Sequence, residues 1–318
     1  MVVGKLGGWA GRHVLVTGAT GFIGVRLVQR LVEVGAQVWA GVYPGESPER
    51  VASLAPEVER VPFDVQDAEG VRRVVLEAAP DVVFHLAAVG VSDTGIEPVL
   101  ALAVNAGGAI NLLEALRRRA VQRVVLVGTC YEYGARQAVE GLDPFNAYAA
   151  SKVAAWAFGR MYWRVHGLPI VTVRPFQVYG PGQPEHMLIP SAIVAALAGQ
   201  DLMATAGEQA RDFIYVDDVV EGMLAAALAP GIEGESLDLG SGVARPVREV
   251  LDRVWELTGA RGRILYGALP YRPGEVIHLA ANAERTARLI GWCACVGLDE
   301  GLRYTIDWMR TNQLTNQP

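Results

Sequence analysis

A glycine-rich turn between a short apolar run and an amphipathic segment constrains this chain most. Residues 17–24 read TGATGFIG, and they follow a buried-strand pattern at 13–17. In a strand–turn–helix unit, the first glycine permits a tight turn, the second lets the backbone approach a pyrophosphate, and the third lets the helix pack on the sheet. The turn therefore predicts a dinucleotide site, and it lacks the Gly-Lys-Ser/Thr ending of a kinase-type phosphate loop.

Strand and helix patterns alternate along the first half of the chain. Strands are predicted over 13–17, 37–42, 58–63, 81–86, 123–127 and 170–173, and helices over 22–34, 68–79, 97–119 and 146–166. This alternation predicts an α/β fold with a doubly wound parallel sheet of the Rossmann type. Proline and glycine crowd residues 175–184, which predicts a passage into a smaller C-terminal α/β substrate lobe. We expect a Rossmann domain over 1–176, with a returning segment near 211–240, and a substrate lobe over 177–318.

Composition narrows the classes of partner. The 318 residues are 51% hydrophobic and carry a net charge of −6, which excludes a disordered chain and argues against nucleic-acid binding. No uninterrupted apolar run predicts a membrane span, and the first residues do not predict a secretory signal. Three cysteines are too few for a disulfide framework, and neither they nor the five histidines have metal-ligand spacing. A cytoplasmic protein without a metal is expected.

A tyrosine and a lysine lie one helical turn apart in the segment after the fifth strand. Tyr148 and Lys152 share a helix face, so the ammonium is expected to lower the pKa of the phenol and to hold a cofactor ribose. Thr129 follows the fifth strand at the carboxyl edge, where such sheets bind ligands. Its hydroxyl is expected either to bind the substrate oxygen that Tyr148 protonates or to cap the strand end.

The motifs keep the order of a known family. The glycine turn is followed by HLAA at 85–88, Asn105, Thr129, YAASK at 148–152, RPFQVYGPG at 174–182, RDFIYVDDV at 211–219, YRPGEV at 271–276 and LIGW at 289–292. Together they resemble the extended short-chain dehydrogenase/reductases, and more narrowly the NAD-dependent epimerase/dehydratase family of nucleotide-sugar enzymes. The resemblance implies a nicotinamide dinucleotide, a nucleotide-diphosphate sugar as substrate, and a homodimer formed by the helices at 97–119 and 146–166.

The resemblance also implies roles for single residues. Thr129, Tyr148 and Lys152 would form the catalytic triad. Tyr148 and Lys152 would also bind the cofactor, together with Gly18, Gly21, Phe22, Ile23, Gly24, Asp64, Val65, Leu86, Ala87, Ala88, Pro175 and Val178. The substrate would meet Tyr131, Gln177, Arg211 and Arg272, with the two arginines at the diphosphate. The alternatives are a helix N-cap for Asp64 and surface ion pairing for both arginines, for instance of Arg211 with Asp212 or Asp217.

The cofactor and the reaction stay open. Residues 40–44, after the second strand, hold neither the acid that favours NAD nor the arginine that favours NADP, so the cofactor is NAD(H) or NADP(H). Members that dehydrate at C4–C6 carry Asp-Glu directly after the triad threonine. Here Cys130 and Tyr131 stand there, and Glu132 is expected on the opposite face if the strand continues, so a 4,6-dehydratase is not expected. Hydride transfer at sugar C4 remains, by an epimerase or a 4-keto reductase, with a non-catalytic dinucleotide sensor as the alternative.

Overall fold

Seven parallel strands form the central sheet of the computed structural model, which describes residues 8–91, 95–135, 141–272 and 274–315. The strands, numbered in chain order, are β1 His13–Thr17, β2 Gln37–Val42, β3 Glu59–Pro62, β4 Val82–His85, β5 Arg123–Val127, β6 Ile170–Pro175, β7 Gln177–Tyr179, β8 Leu202–Met203, β9 Ala210–Tyr215, β10 Ser236–Leu239, β11 Ala244–Pro246, β12 Ile264–Leu265 and β13 His278–Leu279. The central sheet has the order β10-β6-β5-β4-β1-β2-β3. Strand order reverses beside β1, where a doubly wound sheet opens a crevice at its carboxyl edge.

Helices cover both faces of this sheet. They are α1 Phe22–Glu33, α2 Pro48–Ala52, α3 Ala68–Ala78, α4 Pro98–Ala101, α5 Gly108–Leu116, α6 Ala147–His166, α7 Leu188–Leu197, α8 Val216–Leu228, α9 Val247–Thr258, α10 Ala283–Ile290 and α11 Leu298–Thr315. A π-helical turn, Leu102–Gly107, joins α4 to α5, and a 3-10 turn, Cys130–Tyr133, follows β5. The predicted fold class, an α/β Rossmann-type sheet, is confirmed.

Side-chain alternation along the strands explains the two layers. Val14 and Val16 of β1 enter the core beneath α1 and α8, whereas Leu15 enters the core beneath α3 and α5. Buried residues follow one another along β1 and β4, as expected for a parallel sheet covered on both sides.

The seventh strand comes from the second half of the chain. β10 pairs in parallel with β6, and α8 packs against α1, so residues 216–239 complete the sheet and one helical layer. The sequence patterns predict six strands and miss β10, because SLDL is four residues long and contains a charged residue.

A smaller unit follows β6 at its carboxyl end. There β9 pairs with β7, β11 and β13, while β8 pairs with β12. Its apolar core is formed by α7, α9 and α11 and includes Ile193, Leu251 and Leu302. The chain passes from β6 to β7 within two residues, so this unit begins beside the carboxyl edge of the central sheet.

One stretch of helix, Pro98–Leu116, is long and apolar enough to cross a membrane by length and composition alone. Half of it is buried inside the molecule, and α5 packs against α3 and α6. Its buried side chains belong to the core beneath α3 and α5, and they include Leu112, Leu113 and Leu116. The stretch is therefore a helix of the layer that covers the sheet.

Candidate active site

The glycine turn is built for close backbone approach. Gly18 has a φ of +68°, and a Cβ there would lie 2.7 Å from the backbone nitrogen of Ala87. A Cβ at Gly24 would overlap the carbonyl oxygen of Gly18, whereas one at Gly21 would meet nothing closer than 3.3 Å. Gly21 begins α1 without a side-chain cap, and Phe22 and Ile23 form its first turn. Uncapped N–H groups at a helix start suit phosphate, so these residues fit a dinucleotide pyrophosphate.

Asp64 and Val65, which are predicted to bind the adenine, lie along the same edge of the sheet. Val65 is buried, and its carbonyl oxygen accepts a 2.9 Å hydrogen bond from the side chain of Asn111. Asp64 accepts from the backbone nitrogen of Gln66 at 2.9 Å. The N-cap alternative for Asp64 is wrong, because Asp67 occupies the N-cap position of α3.

The segment after β4 is anchored to β1 and to α6. The Thr17 hydroxyl accepts from the backbone nitrogen of Ala87 at 3.2 Å, and Leu86, Ala87 and Ala88 are half-buried. Asn105 donates to the Val89 carbonyl at 3.0 Å and to the Ser151 hydroxyl at 2.9 Å. Asn105 therefore links this segment to the helix that carries Tyr148.

Thr129, Tyr148 and Lys152 meet where β5 ends. β5 stops at Val127, and Thr129 begins the 3-10 turn with its hydroxyl accepting from the Tyr131 backbone nitrogen at 3.3 Å. Tyr148 is buried in the first turn of α6, where the Thr129 side chain acts to lower the pKa of its hydroxyl. The Lys152 ammonium donates to the Val127 carbonyl at 2.8 Å. The structure thus brings the three predicted residues together, with Thr129 also in the capping position.

Burial shifts the pKa values of Tyr148 and Lys152, the two predicted catalytic residues on α6. Burial raises the pKa of Tyr148, and the charge of Glu132 raises it further. Burial lowers the pKa of Lys152 to about 8, while Glu132 acts in the opposite direction. The expectation of a lowered pKa for the phenol is therefore not met, because burial raises the pKa and the Lys152 ammonium donates to the Val127 carbonyl. At neutral pH Tyr148 holds its proton.

Tyr131 and Gln177, which are both predicted to bind the substrate, contact each other. The Gln177 amide donates to the Tyr131 hydroxyl at 2.6 Å, and Phe145 packs edge-on against the Tyr131 ring with centroids 5.5 Å apart. Burial raises the pKa of Tyr131, and it raises the pKa of the neighbouring Cys130 thiol to about 12. Pro175 ends β6 and Val178 lies on β7, at the same edge of the sheet.

Glu275 links the two arginines predicted at the diphosphate. Arg211, on β9, is buried and forms an ion pair with the Glu275 carboxylate. The exposed Arg272 accepts the Glu275 backbone N–H through its carbonyl at 3.0 Å. The ion-pair alternative for Arg211 is therefore met with a different partner: Asp212 accepts from the Ser241 and Gly242 backbone, and Asp217 pairs with Arg26.

Glu132 and His85 complete the site beneath the triad. Glu132 is fully buried and contacts the Thr129 backbone, so the expectation that it faces away along a continuing strand is wrong. The cause is the 3-10 turn, which replaces the strand after Val127. His85, on β4, makes a 2.8 Å hydrogen bond with Thr17, and burial together with the charge of Lys152 lowers its pKa to about 3. His85 is therefore neutral.

Glu46 lies over the glycine turn. Its carboxylate accepts from the Thr20 hydroxyl at 2.6 Å and from the Ser47 backbone nitrogen at 3.1 Å. The side chain is 17% exposed, and Arg50 stands 3.5 Å from it. The sequence places Glu46 beyond the end of β2, and only the fold of residues 43–47 returns it to the cofactor edge.

Comparisons with known proteins agree with this geometry. Residues 14–240 match the family described as "NAD dependent epimerase/dehydratase family". The UDP-glucose 4-epimerase of Mycolicibacterium smegmatis is 31% identical over 93% of this chain and 98% of its own length. A dTDP-glucose 4,6-dehydratase of Xanthomonas campestris pv. campestris is 32% identical over 94% of this chain and 93% of its own length.

A solved structure gives the same result. The UDP-glucose 4-epimerase of Thermus thermophilus in complex with NAD has a TM-score of 0.82 and 31% identity, covering 93% of this chain and 98% of that chain. Fold, site and relatives converge on a nicotinamide-dependent enzyme that acts on nucleotide sugars. The chain belongs to the NAD-dependent epimerase/dehydratase family of extended short-chain dehydrogenase/reductases.

Proposed function

We propose that the protein epimerises a nucleotide-diphosphate sugar at C4. The observation that carries this proposal is the triad of Thr129, Tyr148 and Lys152, whose neighbours toward the substrate, Cys130 and Tyr131, are a thiol and a phenol that stay protonated. A bound NAD would supply the acceptor and donor of hydride. Tyr148 would accept the proton of the sugar hydroxyl as a phenolate, the form that the positive charges of Lys152 and of the nicotinamide ring favour, and would give the proton back when the keto sugar is reduced.

The neighbours of the triad argue against water elimination. Elimination across C5 and C6 needs one group that removes a proton and another that gives one. Because burial raises the pKa of both Cys130 and Tyr131, neither is a base at neutral pH. Identity over the whole chain does not separate the two reactions, since the epimerase and the dehydratase relatives are 31% and 32% identical.

Glu46 favours the epimerase over the 4-keto reductase. An epimerase must retain its cofactor through both hydride transfers, and a carboxylate bound to the ribose hydroxyls is one device that retains NAD. The Glu46 carboxylate accepts a hydrogen bond from Thr20 in the glycine turn. It is therefore placed to bind the ribose hydroxyls of NAD and to repel the 2′-phosphate of NADP. We therefore propose NAD rather than NADP.

Replacing Glu46 with glutamine is expected to reduce the preference for NAD over NADP about tenfold or more, equivalent to about 1.4 kcal/mol. The amide keeps the size of the side chain but removes the charge that opposes a 2′-phosphate. Titration calorimetry with both dinucleotides measures the two Kd values directly. Glu49→Gln, an exposed change three residues along the chain in α2, is the control and should leave the ratio unchanged. An unchanged ratio in Glu46→Gln would rule out this role.

Two assays test the proposed reaction. Acid treatment of the purified protein should release NAD, because an epimerase keeps its cofactor. Incubation with UDP- and dTDP-hexoses, followed by NMR, should show inversion at C4 without added dinucleotide. Consumption of added NADH by a 4-keto sugar nucleotide, with no inversion of any hexose, would favour the reductase instead.

We propose that residues 177–318, apart from the segment that returns to the sheet, bind the sugar nucleotide. Arg211 and Arg272 are placed to meet the diphosphate, and the phosphate oxygens would compete with Glu275 for the Arg211 guanidinium. A cytoplasmic location is also proposed; it is supported by the three cysteines, which are all free thiols.

A homodimer is proposed through the layer that contains α4 and α6. Val99, Leu100 and Leu102 are exposed by 80%, 47% and 54%, and Phe158 of α6 is exposed by 40%. Exposed apolar side chains on adjacent helices are typical of a self-complementary contact about a two-fold axis. Light scattering at micromolar concentration should give twice the mass of the chain, and Leu102→Glu should shift it toward the monomer. A monomer for the unmodified protein would refute the dimer.

A further inference from the structure

A chain of buried polar groups runs behind the triad. The Arg174 guanidinium on β6 donates to the Glu132 carboxylate at 2.8 Å and to the Tyr133 hydroxyl at 3.3 Å. Tyr133 donates in turn to Asp238 of β10 at 2.7 Å, and Asp238 also accepts from the backbone nitrogen of Asn282 at 3.0 Å. The side chains of Glu132 and Arg174 are 0% and 4% exposed, so this ion pair lies out of contact with water.

Glu132 is the member of this chain that touches the triad. One of its carboxylate oxygens accepts the Thr129 backbone N–H at 2.8 Å, and the other accepts from Arg174. The Thr129 side chain and the Glu132 carboxylate cap the 3-10 turn reciprocally. Gly128 makes room for this arrangement, because a Cβ there would overlap the Glu132 carboxylate. The orientation of the Thr129 backbone is therefore fixed by the hydrogen bond that its N–H donates to the buried Glu132 carboxylate.

Glu132 is also the negative charge that acts on α6. Among the described residues, its carboxylate is the charge that favours the protonated form of both Tyr148 and Lys152. The other titratable groups around this cluster are Cys130 and Tyr131 from the 3-10 turn, His85 from β4, Arg174 from β6, Tyr133 and Asp238. His85 is neutral, and Glu132 is the group that raises the pKa of Lys152 even though it also pairs with Arg174, so the ammonium of Lys152 depends on this carboxylate.

We propose that Glu132 is a positioning residue of this site: its buried carboxylate fixes Thr129 through its backbone and places a negative charge at the end of β5, where Lys152 binds the Val127 carbonyl. The role rests on the proposed function in so far as Thr129 and Lys152 serve the reaction. Burying this carboxylate costs folding free energy, because the loss of water around both charges offsets much of the attraction within a buried ion pair. Removing either partner would leave an unpaired buried charge. The hydrogen bond to the Thr129 backbone, two residues from the Val127 carbonyl that binds the Lys152 ammonium, gives that cost a functional reason.

The chain offers an unusually direct test, since it contains only two lysines, Lys5 and Lys152. Protein labelled with ¹³C at the lysine ε-carbon, in a Lys5→Arg background, gives a single lysine signal whose shift with pH reports the pKa of Lys152. In Glu132→Gln the signal should titrate about one unit or more lower, because removing an adjacent opposite charge lowers the pKa of an ammonium. This readout does not require turnover, so it can fail or succeed independently of the proposed reaction.

Asp238→Asn is the matched control. It disturbs the same buried chain at its far end, where Tyr133 and Asn282 meet, but leaves Glu132 in place. A purely structural role would give similar titrations for the two variants, whereas a positioning role shifts only Glu132→Gln. An unshifted Lys152 signal in Glu132→Gln would overturn the proposal.

Turnover supplies the second readout. The alkaline limb of the kcat profile should move to lower pH in Glu132→Gln, in step with the Lys152 titration. If the single variant does not fold, the double variant Glu132→Gln/Arg174→Met removes both charges of the pair, a replacement that is often neutral for stability. The downward shift is expected there too, since Arg174 is not among the groups that act on Lys152. No shift in the folded double variant would also overturn the proposal.

Discussion

Replacing Tyr148 with phenylalanine should lower kcat by about 10²- to 10⁴-fold, the range that a positioned acid–base group contributes. The hydroxyl is the only atom removed, and it is the group that holds a proton beside Thr129. Tyr148 is 7% exposed within the first turn of α6, so the ring of phenylalanine fills the same space. NAD binding, measured by calorimetry, should stay within a few-fold, because the glycine turn is untouched.

Tyr162→Phe provides the control for this change. Tyr162 lies on the same helix, and its hydroxyl donates to Glu114 at 2.9 Å, away from the triad. Its loss should alter kcat by less than about twofold, since it removes a hydrogen bond worth only about 1 kcal/mol of stability. Turnover by Tyr148→Phe that matches Tyr162→Phe would contradict the role of the phenol.

Replacing Gly24 with alanine should weaken both folding and cofactor binding. The added Cβ would overlap the carbonyl oxygen of Gly18 and lie 2.9 Å from the carbonyl of Ala19. The backbone of the glycine turn would therefore have to move. Overpacking of this kind costs about 1–3 kcal/mol of unfolding free energy. Because the displaced atoms belong to the glycine turn, the Kd for NAD should rise about tenfold or more, equivalent to about 1.4 kcal/mol.

Gly107→Ala is the matched glycine control. Gly107 has helical dihedral angles of −60° and −45°, and a Cβ there would meet only the Leu102 carbonyl oxygen at 3.7 Å. Alanine should therefore leave the protein as stable or stabilise it by about 0.5–1 kcal/mol. Urea unfolding and NAD titration of both variants give the comparison. Equal stability and affinity in Gly24→Ala would show that the turn does not need a glycine there.

Local patterns were sufficient to predict most of the central sheet. β1, β2 and β5 have the predicted bounds, because each is an apolar run that ends at a turn or at a polar residue. β10 was missed since its place beside β6 is fixed by a partner more than sixty residues earlier in the chain. Pairing over such distances leaves no mark in the local pattern of a four-residue strand.

The residues of the candidate site also fall into two groups, those that local sequence patterns predict and those that only the fold brings to the site. The glycine turn, Tyr148 and Lys152 are visible in sequence because their function depends on spacing within one element. Glu46 and Glu132 act through the fold: one returns to the glycine turn through a loop, and the other enters the interior through a 3-10 turn. The burial that raises the pKa of Tyr148 is likewise a property of the assembled site.

Incubation of the protein with a UDP- or dTDP-hexose in D₂O tests the central claim most directly. Hydride exchange at C4 keeps the original hydrogen on that carbon, so NMR should show the C4 epimer with hydrogen, and no deuterium, at C4 and C5. Elimination would pass through loss of the C5 proton to solvent. A 4-keto-6-deoxy product that carries deuterium at C5, or a product with unchanged configuration at C4 from every hexose supplied, would contradict the account.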